Sequence, residues 1–221
     1  MHCKLLGLLA IFALSTHTLA DTNPRQPLVT MDENLWITFY DLPSRRFRAI
    51  RSDFVRREFE TVASNLVTSA VYLMVEADRA MPALAERLEE LSNQLTWMAG
   101  HVRDTNVTLE DLDALFGRAH WLLAQHYLEM AKRSRDMQQF QNEGLYLWAT
   151  IHHLERAVLW GNARIDRDLH KTLEELRDLA SRLQDPELAT KAHQMKPLVR
   201  AEKTLRKLGG LIDRQVVLPG Q

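Results

Sequence analysis

Residues 59–77 carry a pattern that the chain repeats 81 positions later, and it suits a helix buried along one stripe. Phe59, Ala63, Leu66, Ala70 and Leu73 are echoed by Phe140, Gly144, Leu147, Ile151 and Leu154. Steps of four, three, four and three keep each set on one side of an α-helix. A second echo follows, 85 positions apart. Leu84, Leu88, Leu91, Leu95 and Met98 read against Leu169, Leu173, Leu176, Ala180 and Leu183, with Leu-Glu-Glu-Leu shared in the middle. Two helical hairpins on one plan imply an all-α bundle of about six main helices. They would form two related three-helix units, the product of an internal duplication.

The ends read differently. Lys4 precedes an almost unbroken apolar run from Leu5 to Leu14, and residues 16–20 read Thr-His-Thr-Leu-Ala. This is the pattern of a cleaved signal peptide over residues 1–20, with cleavage after Ala20; the run is too short for a stable membrane anchor. The expected location is periplasmic or secreted, with no stable membrane insertion. The only cysteine, Cys3, leaves with that peptide. The remaining chain therefore has no disulfide, thiol nucleophile or thiolate ligand, and a packed core must hold it together. Lys4 is also the only charged residue among the first twenty, so 27 Lys and Arg face 29 Asp and Glu in the rest. That balance offers no field for nucleic acid.

Residues 21–43 read as an extended lead-in. It holds Pro24 and Pro27, then the β-prone run Leu35-Trp36-Ile37-Thr38-Phe39-Tyr40, whose Trp36 and Phe39 should pack across the bundle. The helical domain spans residues 44–210, followed by a frayed tail over 211–221. Its first helix should run from Ser44 or Ser52 to Arg79, with a core stripe of Val55, Phe59, Val62, Leu66, Ala70, Leu73 and Ala77. The second, after Met81-Pro82, has a coiled-coil-like seam from Leu84 to Val102. Thr108 and Asp111 form a capping box for the third, which buries Leu112, Phe116, Ala119, Leu123, His126 and Met130. A very short turn leads to the fourth, starting near residues 137–139, so these two must be antiparallel neighbours. The fifth covers 166–183. The sixth is capped by Asp185, bends at Pro197 and is ended by Gly209-Gly210. Asn106-Val107-Thr108 fits a glycosylation acceptor in a eukaryotic source.

Chemistry concentrates on the third and fourth helices. Each carries His-x-x-Glu: His126 with Glu129, and His152 with Glu155. Residues three apart share a helix face, so each pair could offer two metal ligands. Counted from the turn, His126 and His152 differ by about 9 Å in height, too much for one ion. His120 is level with His152, which makes His120, His152 and Glu155 the candidate metal ligands. Helical phase puts His126 in mid-stripe, where it needs a buried partner or serves as an axial ligand to noncovalent haem. Glu76 projects away from its own stripe. Trp121, Trp148 and Trp160 flank the same hairpin and suit core sealing. Arg45, Arg46, Arg48, Arg51, Arg56 and Arg57 form a basic run that suits either an anionic partner or a solvated, ion-paired face.

Catalytic signatures such as Gly-x-Ser-x-Gly, a phosphate-cradling glycine loop or His-Glu-x-x-His are absent from the sequence. The expectation is therefore an exported, non-enzymatic binding, scaffold or stress-related helical protein without a cofactor. Its partner would be a protein or small ligand, and oligomerisation stays open. The alternative is a metal- or haem-binding periplasmic bundle using the histidines of the central hairpin.

Overall fold

A computed structural model describes residues 33–104, 107–162, 166–193 and 197–212, and it contains no strand among them. The expected signal peptide, most of the lead-in, Asn106 and the tail beyond residue 212 lie outside the described residues. The chain forms a short α1 (Glu33–Trp36), a 3-10 turn (Ile37–Phe39) and α2 (Leu42–Val55). Next come α3 (Phe59–Arg79), α4 (Pro82–His101), α5 (Leu109–Asp136) and α6 (Phe140–Trp160). α7 (Arg167–Leu183), α8 (Ala189–His193) and α9 (Pro197–Ile212) complete the order. Among the described residues, no helix is long and apolar enough to cross a membrane.

The seams of α4 and α7 are buried where the periodicity places them, while Phe59, Met130 and Phe140 of the other stripes are half-buried. Leu84, Leu88, Leu91, Leu95, Met98 and Val102 line the inner side of α4, and Leu169, Leu173, Leu176, Ala180 and Leu183 that of α7. α3 packs between α2 and α4, while α5 and α6 pair along their length as the central hairpin, with α7 and α9 against them. α5 is enclosed from several sides, so both flanks of its stripe are buried as well: Leu115, His120, Leu122, Tyr127 and Leu128 join Phe116, Leu123 and His126. Its N-terminus carries the expected capping box. Asp111 N–H donates to Thr108 Oγ1 at 3.2 Å, and Thr108 N–H to Asp111 Oδ2 at 2.9 Å.

Four expectations need correction. The run 35–39 is helical, because Trp36 and Tyr40 pack on neighbouring helices and no strand is present among the described residues to pair with it, while Phe39, expected to pack across the bundle, is exposed. The first long helix is two helices, broken at residues 56–58, and Val55 is exposed at the end of α2. The segment after Asp185 begins as a turn, and its helix starts only at Ala189. Gly209 and Gly210 lie inside α9 and do not end it. Gly209 is required by close approach: a Cβ there would collide with the Trp121 ring, whose Nε1 donates to Leu205 O at 3.0 Å.

The break after α2 and the turn after α5 have the same geometry, 81 positions apart. Arg57 and Gln138 both have left-handed backbones, at φ 62° and 58°. Arg57 N–H bonds Phe54 O and Glu58 N–H bonds Asp53 O; Gln138 N–H bonds Arg135 O and Gln139 N–H bonds Ser134 O. These are the paired bonds of a Schellman ending, and each is followed by a helix of 21 residues opening on phenylalanine. Glycine suits such a position better than arginine or glutamine, since it has no Cβ to crowd the carbonyl. Arg57→Gly and Gln138→Gly are each expected to stabilise the fold by up to about 1 kcal/mol. Thermal denaturation checks this, and a lower melting temperature for both would refute the assigned turn geometry.

Candidate functional site

The polar residues at the bundle centre fall into two clusters joined by Tyr127. The first surrounds Glu76, which is fully buried on α3 and does not project outward as its phase suggested. Its Oε1 accepts from Trp36 Nε1 and from Tyr127 Oη, both at 2.8 Å. Its Oε2 accepts from Arg79 at 2.6 Å, and His126 Nε2 stands 3.0 Å away. Tyr72 Oη lies 2.9 Å from Tyr127 Oη; because Tyr127 gives its proton to Glu76, Tyr72 is the donor of this pair. The indole of Trp36 stacks on Tyr72 at 5.7 Å and lies under the Arg79 guanidinium.

Burial alone would raise the Glu76 pKa. The hydrogen bond and charge of His126, the charge of Arg79 and the Tyr127 hydroxyl outweigh it and hold the carboxyl at about 2. Desolvation raises both tyrosine hydroxyls well above the ordinary phenol range, and the Glu76 charge pushes the same way. Glu76 is therefore a buried carboxylate that accepts from Trp36, Tyr127 and Arg79, with the His126 ring beside it.

The second cluster is made of histidines. Tyr127 stacks on His153 with its ring planes 5° apart. His153 Nδ1 is 2.8 Å from His120 Nδ1, so one neutral ring donates to the other across α5 and α6. His120 also meets the Phe47 ring edge-on. Burial pushes the pKa of both histidines well below 6.5, His120 further through His152 and Arg156, and His153 through His120, His152 and His126. His152 Nε2 is 2.6 Å from Ser44 Oγ on α2, and burial followed by the nearby Arg156 lowers its pKa to about 4.

The candidate ligands are thus divided among different partners. His120 pairs with His153, His152 with Ser44, and Glu155 with Arg177 of α7. Among the described residues, no group of three His, Cys, Asp or Glu side chains stands close enough to hold a metal ion together. His126 is buried as its phase requires, and it faces Glu76. The sequence reading missed Glu76, Trp36, Tyr72, Tyr127 and His153. One signal could have found Glu76: it is the first charge after 15 uncharged residues, and Arg79 follows one turn later. His153 falls on a second buried stripe with Tyr146, Ala149, Thr150 and Ala157, visible once α6 is known to be covered on two sides.

The basic run is largely engaged within the fold. Arg45 pairs with Asp41, Arg46 donates to Asn65 Oδ1, Arg48 to Ser44 O, Arg51 to Asp113, and Arg56 pairs with Asp53 and Glu58. Exposed pairs of this kind contribute at most about 1 kcal/mol each, but Arg46 and Arg51 also tie α2 to α3 and α5. The cation over Trp36 is Arg79 and not one of this run.

Two neighbouring stretches elsewhere carry no charged residue of their own. Residues 61–75 of α3 contain no Asp, Glu, Lys, Arg or His, nor do residues 91–100 of α4, and Ser92 Oγ bonding Ala70 O sets these stretches side by side. With 26% of the chain charged, 25 residues would hold about six charges. On the outer side of α3, Val67, Val71, Met74 and Val75 are between 36% and 58% exposed. Their spacing keeps them within roughly a 100° arc.

Comparison with protein-family models, curated protein sequences and solved structures gives no match to this chain.

Proposed function

We propose that this is an exported, non-enzymatic helical binding and scaffold protein, and that the uncharged outer face of α3 is the surface through which it works. The exposed stripe Val67, Val71, Met74 and Val75 carries this reading. Contiguous apolar side chains left open on a charged protein mark interaction sites. The non-enzymatic part is supported by the seclusion of the central titratable groups. Glu76, His120, His126 and His153 are closed off from solvent and face one another across helices, Glu76 with His126 and His120 with His153. The stress-related part is supported by His120 and His153, whose burial as neutral rings makes the fold sensitive to acid. With this reading we also propose export by residues 1–20, and descent of α2–α3–α4 and α5–α6–α7 from one duplicated unit; the paired turns at Arg57 and Gln138 support the duplication.

A photoreactive side chain placed at Val71 in producing cells tests the working surface, with Arg206, exposed on α9, as the control position. A discrete crosslinked product at position 71 and none at 206 is expected. Absence of any product at 71 would refute the reading.

A second reading, a metal- or haem-binding bundle, is favoured by one observation: His120 Nε2 and His153 Nε2 are buried without a hydrogen-bond partner. Absorbance and metal content of the purified protein separate the two. A Soret band, or stoichiometric metal that survives dialysis, would replace the first reading with the second.

A further inference from the structure

We infer that the occupant of the α3 face is a second copy of this chain, joined about a two-fold axis through the valine stripe. The inference rests on reading that face as a working surface. Val67, Val71 and Val75 are four residues apart and form one ridge of an i±4 row, with Met74 beside it. Two such ridges interdigitate when helices cross at about −50°, the commonest packing of helices in globular proteins. A two-fold axis sets the same patch against itself, so an uncharged stripe meets an uncharged stripe. A partner with charges at this position would lose their hydration and find no counter-charge between Thr61 and Val75.

The ends of the stripe fit the same arrangement. Glu60 and Asp78 lie in the same arc as the valines, outside the apolar stretch. With crossed axes the two helices contact over about two turns and diverge towards their ends, which keeps these acids in water.

The four half-exposed side chains present on the order of 300 Å² of apolar surface, the scale of a functional patch on a monomer. That is below the roughly 800 Å² per partner of a standard interface, to which the exposed Ser64 and Thr68 of the same helix would add. A contact of that size suits a weak, reversible dimer in exchange with monomer.

Sedimentation velocity on the purified protein tests this, from about 1 μM to about 100 μM. The mass is expected to rise towards twice the monomer value across that range. It should hold as salt is raised from about 0.1 M to about 0.5 M, because no ion pair across the contact is available to screen. Val71→Glu, a change at an exposed position, should leave the protein monomeric throughout with an unaltered melting curve. A wild-type monomer at the top concentration, or an undiminished dimer in the variant, would overturn the inference. So would a monomeric wild type that loses stability on Val71→Glu, which would show that the chain covers its own stripe. The crosslink at Val71 separates this failure from that of the functional reading. A product of mass other than twice the chain removes the second copy but keeps the working surface, and no product removes both.

Discussion

Glu76→Ala is expected to lower the melting temperature by roughly 10 °C, making it one of the most damaging single changes in the molecule. The loss comes from what the substitution leaves behind. Trp36 Nε1, Tyr127 Oη and Arg79 all donate to this carboxylate, and His126 Nε2 stands 3.0 Å from it. Removing the acceptor takes a buried partner from the Trp36 indole and the Tyr127 hydroxyl, and takes the Glu76 charge from a guanidinium that is itself mostly buried. Breaking a buried ion pair from one side typically costs about 3–5 kcal/mol, more than the pair itself contributes. Glu76→Gln keeps an oxygen for Trp36 and Tyr127 but offers an amide to Arg79 and His126, so it should lie between the wild type and alanine. Thermal melts followed by circular dichroism decide the matter. An alanine variant within about 2 °C of wild type would mean that the Glu76 network does not hold α1, α3 and α5 together.

Acidification is expected to destabilise the protein well before ordinary carboxylates titrate, by roughly 10 °C between about pH 7 and pH 5. His120 and His153 are buried as neutral rings with folded pKa values well below 6.5, whereas in the unfolded chain they return to the ordinary value. Above that value neither state binds the proton, and the histidines make no difference. Below it the unfolded chain takes up protons that the fold refuses. Each imidazole then removes about 1.4 kcal/mol of stability per pH unit, until the pH reaches its folded value. His152, held at about 4, pulls the same way but is partly solvated and counts for less. Glu76 adds its own loss further down: its stability is present above the ordinary carboxyl range and disappears as the pH falls towards about 2. His153→Asn retains a nitrogen near His120 Nδ1 and cannot titrate, so its stability should fall less steeply with acid. A melting temperature that stays level from about pH 7 to pH 5 would refute the neutral burial of this pair.

The buried histidines also show where a one-dimensional reading stops. Counting residues from the α5–α6 turn puts His120 level with His152, and the structure pairs it with the next residue, His153. One position along a helix is a rise of about 1.5 Å and a rotation of about 100°. A small error in height is thus a complete change of face, and it separates a ring in the core from one reaching Ser44 on α2. Helix phase was dependable where one stripe faces the core, as on α4 and α7. It was insufficient on α5 and α6, where enclosure from several sides buries residues that a single stripe leaves out.

Glu76 failed for a related reason. Within α3 its phase lies beside the stripe, where an isolated acid belongs in water. Its burial depends on donors from Trp36, 40 residues earlier, and from Tyr127, 51 residues later. Nothing local to α3 announces them, apart from Arg79 one turn on. The break at residues 56–58 likewise has no glycine or proline to mark it. There the packing of α2 against α3 outweighs the strain of a left-handed arginine.

From its sequence alone, then, this chain is committed to an all-helical fold with its leucine seams turned inward, because spacing at 3.6 residues per turn is a property each helix carries by itself. The sequence also determines the uncharged stretch of α3, since charge is a matter of composition. Tertiary structure alone decides which polar groups meet: Glu76 with Trp36, Tyr127 and Arg79, and His120 with His153. It also decides that Val67, Val71, Met74 and Val75 stay outside while Leu66, Ala70 and Leu73 are covered. Those outcomes depend on the register and crossing of helices far apart in the chain, and the periodicity of any one helix contains neither.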